Sequence, residues 1–165
     1  MRDQARVVFS FPNPVNEYAA RLVAGMVATL SLVIVIFDVP WLLFFLAYGF
    51  AARVFTGPTL SPFGLLATRV LIPLAGEPQK SVAGPPKRFA QTVGLVFSAS
   101  SLLIYYAAGS AIAAYSVLGV LILFALLESV AGFCAGCFVF SYLMRWGIVP
   151  RRFCEDCERF GFNRA

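Results

Sequence analysis

Histidine is absent from all 165 residues. That removes the commonest general base and the commonest metal ligand. Any chemistry must therefore come from Cys, Glu, Asp, Tyr, Lys or Arg. Charge is scarce too: charged residues make up 13% of the chain, about half the usual share in a soluble domain. The apolar share is 60% and the mean hydropathy +0.83. Together these exclude an ordinary soluble domain. No internal repeat is visible. No cleavable signal peptide is expected, since residues 1–16 are polar and Pro-rich and no small-residue cleavage pattern follows the first apolar run. The net charge of +5 does not point to nucleic acid. The basic residues flank apolar runs, as topology signals do.

What the chain does have is apolar length. A spanning helix needs about 20 mostly apolar residues, and the sequence holds four candidates. The reading is an all-α polytopic membrane protein with four transmembrane helices and a short interfacial or re-entrant helix. Residues 1–16 form an N-terminal segment, 17–146 one membrane domain and 147–165 a tail. Spans are expected at about 18–37, 41–55, 89–108 and 113–146. Asn16 should cap the first span, with Glu17 at the positive end of its dipole. Asp38-Val39-Pro40 should break it. Arg53 should snorkel to the head groups near the end of the second. The connection 56–88 should hold a short helix from Pro62 to about Ile72, capped by Ser61. The last stretch is too long for one span; it would reach roughly 50 Å against a core of about 30 Å. Gly132 and Gly136 are its expected hinges.

Basic residues set the expected orientation. All thirteen lie in three zones: Arg2, Arg6 and Arg21; Arg53, Arg69, Lys80, Lys87 and Arg88; and Arg145, Arg151, Arg152, Arg159 and Arg164. The turns at 38–40 and 109–114 carry none. Under the positive-inside rule both termini and the long connection are cytoplasmic, in the inner membrane.

The phrases FPNPVNEYAARLVAG, TGPTLSP, AGPPKRFAQ and ESVAGFCAGCFVFSYL stand in that order. From about Phe11 to about Trp146 the chain resembles the bacterial membrane family called domain of unknown function 4395. The resemblance implies a four-helix membrane fold. It also implies thiol or sulfur redox work, because such proteins occur alongside thioredoxin-like and sulfurtransferase-like proteins. Cys134-Ala-Gly-Cys137 matches the family's cysteine pair. Cys154 and Cys157 lie beyond the shared region, so nothing carries over to them.

The four cysteines form CAGC and, sixteen residues later, CEDC. On an unbroken helix Cys134 and Cys137 share a face but sit at the edge of disulfide geometry. Three readings stay open. The pair is small-residue packing beside Gly132 and Gly136. Or it exchanges disulfides, with Cys154 and Cys157 as a relay; the link 147–153 could stretch about 23 Å, enough to bring the second pair back. Or all four bind zinc, which the spacing fits and the burial of two net negative charges opposes. Glu128 is the one acid well inside a span. It is either a proton acceptor or ion-pathway group, or a structural partner of Arg21, Arg53 or Arg69. It should not share the cysteine face unless the helix breaks at Gly132. Arg53, Arg69, Lys87 and Arg88, with Glu128, form a candidate substrate or anion site; the simpler account is topology and head-group contact. Trp41, Tyr105, Tyr106 and Trp146 read as interfacial anchors, and no cofactor is implied. The expected function is a membrane thiol-redox or sulfur-handling accessory protein with a cytosolic thioredoxin-like or sulfurtransferase-like partner. The alternatives are a small transporter or channel subunit for a sulfur oxyanion, and a structural subunit without chemistry.

Overall fold

The computed structural model describes residues 15–76 and 80–147. Most of the expected terminal segments, with Cys154 and Cys157, lie outside the described residues. Local chemistry sets where each helix begins. The Asn16 side chain accepts the Tyr18 N–H at 3.0 Å and opens α1 (Glu17–Phe37). Asp38 ends α1 in a left-handed conformation, φ 50°. After a short turn α2 covers Leu42–Thr56. Ser61 accepts the Gly64 N–H at 3.3 Å, Pro62 takes the first helical position, and α3 (Pro62–Leu74) follows, π-helical over Ala67–Leu71.

The third long helix, α4 (Gly84–Ala107), starts before the expected Phe89. Gly84-Pro85-Pro86, read in the sequence as loop, is its first turn, where a missing N–H costs nothing. Ser110 caps α5 (Ala111–Ala131), whose last turn, Leu127–Ala131, is π-helical. A break at Gly132 follows, then α6 (Ala135–Arg145). The expected span at 113–146 is therefore two helices.

Helices α1, α2, α4 and α5 form a ring. Helix α4 packs on α2 and α5, and α1 on α5 and α2. The α1–α2 and α4–α5 connections are only a few residues long, so these neighbours run antiparallel. The starts of α1 and α4 and the ends of α2 and α5 thus meet at one end of the bundle. Every described Lys and Arg belongs to that end or to the segments leaving it. At the other end the Tyr115 hydroxyl donates to the Asp38 carboxylate, and the rings of Tyr105, Tyr106 and Tyr115 stack beside it.

A two-residue bridge, missed in the sequence, clamps the polar end. Strand β1 (Val15–Asn16) pairs antiparallel with β2 (Ser81–Val82), Val15 opposite Val82. Beside it the Glu17 N–H donates to the Lys80 carbonyl at 2.8 Å, and their side chains form an ion pair, also at 2.8 Å. Two-residue strands are too short to show a period of two.

Helices α1, α4 and α5 are long and apolar enough to cross a membrane; α2, with 15 residues, is shorter. Large apolar side chains face outward on all four, among them Phe37, Phe44, Leu103 and Ile112. Such a surface marks a membrane protein in contact with lipid. Inside, Val27, Ile34, Leu43, Leu46 and Leu118 fill the core. Gly94 lets α4 close on α2: a Cβ there would stand 2.2 Å from the Phe50 ring. Gly94→Ala should therefore destabilise the detergent-purified protein by about 1–3 kcal/mol. Pairing it with Phe50→Leu should recover part of the loss, and thermal unfolding of both variants checks this.

Candidate functional site

The site grows from the break after α5. Gly132 sits at φ 69°, which a side chain rarely adopts. A Cβ there would also come within 3.2 Å of the Arg21 guanidinium. The last carbonyls of an interrupted helix lack helical partners. Arg21, reaching across from α1, supplies them: Nε donates to Ser129 O at 3.3 Å and Nη2 to Val130 O at 2.7 Å.

Past the break, Cys134 is the N-cap of α6, in an extended conformation. Its Sγ accepts the Cys137 N–H at 3.4 Å. Cys134 is half-buried and Cys137 buried, both as free thiols. The expected pair on one continuous helix face is thus replaced by a pair that opens a helix. The two hinge glycines divide the work. Gly132 makes the break. Gly136 lets α6 lie on α4, since a Cβ there would meet Ala90 at 2.6 Å. Phe140 then packs on Phe89, with ring centroids 5.6 Å apart.

Glu128 lies on the π-helical turn before the break, and its partner is none of the three arginines expected. Lys87 Nζ meets Glu128 Oε1 at 2.6 Å, with the two side chains 8% and 14% exposed. Lys87 is reached because α4 begins at Gly84, which draws the lysine inside the first turn. The break also gives Glu128 and Cys134 a common surface: both line a cavity of about 240 Å³, otherwise mostly apolar, between α1, α4, α5 and α6. The Lys87 ammonium interacts electrostatically with both thiols, and the Glu128 carboxylate paired with it acts on them in the opposite sense. The helix N-terminus is the setting here that favours a thiolate.

The four central cations do not form one cluster. Arg53, expected to snorkel outward, is 5% exposed. Its Nε donates to Gln91 Oε1 at 2.8 Å and Nη1 to Ser61 Oγ at 3.1 Å. It also lies over the Phe50 ring, 4.5 Å from the centroid. Arg53 turns inward because α4 and the start of α3 supply these acceptors. Arg53 and Lys87 line a second cavity together. Arg69 and Arg88 are exposed, and Arg88 Nε bonds the Val54 carbonyl at 3.1 Å. Sequence reasoning missed Gln91, Ser61 and the capping role of Arg21. Ser61 carried a signal only as a helix cap, and the others become partners only once the helices are assembled.

Among the described residues no group of three or more His, Cys, Asp or Glu could hold a metal ion. Cys154 and Cys157, needed for the zinc and relay readings, fall outside that range.

One family model matches the chain. It is described as a domain of unknown function (DUF4395) and covers residues 15–145. No curated protein and no solved structure matches.

Breaking a buried ion pair from one side typically costs about 3–5 kcal/mol, whereas replacing both partners by apolar groups is often close to neutral. Glu128→Gln should therefore lower the unfolding temperature sharply. The double variant Lys87→Met/Glu128→Leu should recover most of that loss, and a double-mutant cycle of thermal unfolding in detergent measures the difference.

Proposed function

We propose that this chain, which belongs to the DUF4395 family, is a membrane thiol-exchange protein working through Cys134 and Cys137. The supporting observation is that the CxxC pair opens helix α6, with Cys134 Sγ accepting the Cys137 N–H. A thiolate at Cys134 has that N–H and the positive end of the helix to stabilise it; burial and the Glu128 carboxylate oppose it, and the Lys87 ammonium offsets part of that. It is the more accessible of the two thiols, as an attacking group must be.

The exchange runs in two steps. Cys134 thiolate attacks one sulfur of the partner's disulfide, forming a mixed disulfide and releasing the partner's other sulfur as a thiolate. Cys137, deprotonated, then attacks Cys134 Sγ, leaving the Cys134–Cys137 disulfide and the reduced partner. Two electrons pass to the partner, and the proton lost by Cys137 has a nearby carboxylate in Glu128. The reverse sequence reduces the pair. Where Cys154 and Cys157 act as a relay, the disulfide that Cys134 attacks is theirs, and they then pass the two electrons to the partner's disulfide by the same two steps.

In this reading the chain crosses the inner membrane four times, through α1, α2, α4 and α5. The polar end of the bundle, α3, α6 and both termini face the cytoplasm. The concentration of described cations at that end supports this orientation. The partner is then a cytosolic thioredoxin-like or sulfurtransferase-like protein.

Two experiments test the proposal. In protein with Cys154 and Cys157 replaced by serine, Cys137→Ser should displace thionitrobenzoate from a thioredoxin that lacks its resolving cysteine and carries that group as a mixed disulfide on the remaining one, and should stay joined to it through Cys134; with Cys134→Ser no adduct should form. Absence of any adduct from Cys137→Ser, together with no reductant-sensitive labelling of the wild-type pair in membranes, sinks the exchange reading. For topology, single cysteines placed at 39 and 109 in a cysteine-free background should react with an impermeant maleimide from outside intact cells, and one at 80 should not. The opposite pattern overturns the orientation.

A further inference from the structure

The polar end of the bundle carries an unbalanced charge. The described ion pairs are Lys80–Glu17, on the rim, and Lys87–Glu128, inside. Arg53 is as buried as Lys87 and has no carboxylate of its own among the described residues. Its guanidinium is held by two neutral acceptors, Gln91 and Ser61, and by the Phe50 ring. Its remaining nitrogen, Nη2, is buried with no hydrogen-bonding partner among the described residues. Among those residues two buried cations thus share one buried carboxylate, leaving one positive charge uncompensated. Burying a charge unpaired is among the most expensive arrangements in a protein, and more so at membrane depth. Buried guanidinium nitrogens are normally hydrogen-bonded, and an orphan calls for an explanation.

The explanation lies beside it. A cavity of about 180 Å³ is lined by Arg53, Lys87, Gln91, Thr68 and Asn16. Gly57, Pro58 and Gly64 form part of its wall and bring backbone rather than bulk to it. At roughly 30 Å³ per water, the space would take several waters, and so a four-oxygen anion. Among the described residues the lining offers two cations and neutral hydrogen-bonding groups, and no carboxylate. The planar fork of an arginine suits an oxyanion, and a lysine adds a point charge.

We propose that this cavity binds a small oxyanion between Arg53 and Lys87. The site is separate from the cysteine cavity and does not rest on the thiol reading. Lys87 lines this cavity, and its ammonium pairs with Glu128, which lines the cysteine cavity. The anion is either free in solution or the phosphate of a lipid head group drawn in from the leaflet. Both present the same oxygens to the same residues.

Radiolabelled sulfate binding to the purified protein, with the cysteines kept reduced, tests the site. Protein in nanodiscs of phosphatidylcholine should bind sulfate saturably, near one per chain, with inorganic phosphate competing and chloride not. If a lipid phosphate is the occupant, sulfate binding is instead weak, and phosphatidic acid in the nanodisc raises the unfolding temperature. Either result upholds the site provided that Arg53 carries it. Arg53→Lys keeps the charge and loses the fork, so it should weaken binding, or reduce the lipid effect, at least tenfold. Gln91→Leu, which frees the guanidinium, should weaken it less. Wild-type protein showing neither saturable sulfate binding nor stabilisation by phosphatidic acid overturns the proposal. So does an Arg53→Lys protein that responds as wild type does. Because the first criterion uses wild-type protein, it stands even if the variants fold poorly.

Discussion

The ion pair between Lys87 and Glu128 is the constraint on which the polar end of the bundle depends. It joins the first turn of α4 to the last turn of α5 across an interior that holds few other charges. Glu128 is the only described carboxylate in that interior, and Arg53 feels it as well as Lys87. Without it, two buried cations would face each other with no counter-charge. The pair rests on two local features: α4 starting at Gly84 so that Lys87 is buried in its first turn, and α5 loosening into a π-turn that carries Glu128. Helix α6 then leaves so that Cys134 lines the same cavity as Glu128. The β1–β2 bridge and the Glu17–Lys80 pair then fasten the start of α1 to the approach of α4.

Much of this frame was legible in the sequence. Asn16 and Ser61 start helices and the Asp38 turn ends one through side-chain and backbone preferences that act within a few residues, and such local chemistry survives into the fold. The break at Gly132 was legible for the same reason. Apolar length gave the all-α membrane class, and the gathering of basic residues gave the polar end. The reading failed where a residue's fate depends on a neighbouring helix. Arg53 follows an apolar run, which favours snorkelling. It turns inward because Gln91, thirty-eight positions later, offers an acceptor and because Gly94 admits Phe50 beneath it. The prolines at 85 and 86 read as loop because two in a row usually end a helix, but in a first turn they begin one.

Site residues divide along the same line. The cysteine pair was visible by spacing alone. Its geometry was not, because residues three apart share a face only on a continuous helix. Glu128 was visible as an isolated acid in an apolar run, yet its partner could not be named while Lys87 was assigned to the loop. The middle basic zone was visible as a cluster in sequence. Only assembly separates Arg53 and Lys87, which share a cavity, from Arg69 and Arg88, which reach the surface.

The break itself carries a chemical argument. An unbroken helix from Ala111 to Arg145 would satisfy its own backbone groups. Interrupting it at Gly132 orphans carbonyls at one end and N–H groups at the other. Arg21 answers the first. At the second the capping position holds Cys134, although Ser, Thr, Asn and Asp are the residues that cap well and a thiol sulfur is a weak acceptor. A serine there would make the better cap. Helix stability alone therefore does not account for sulfur at this position. The proposed thiol exchange would account for it, because the same N–H that a cap would satisfy is the donor that stabilises a thiolate. Under that proposal the weak cap is a compromise, in which some helix stability is given up to keep a sulfur at the start of α6.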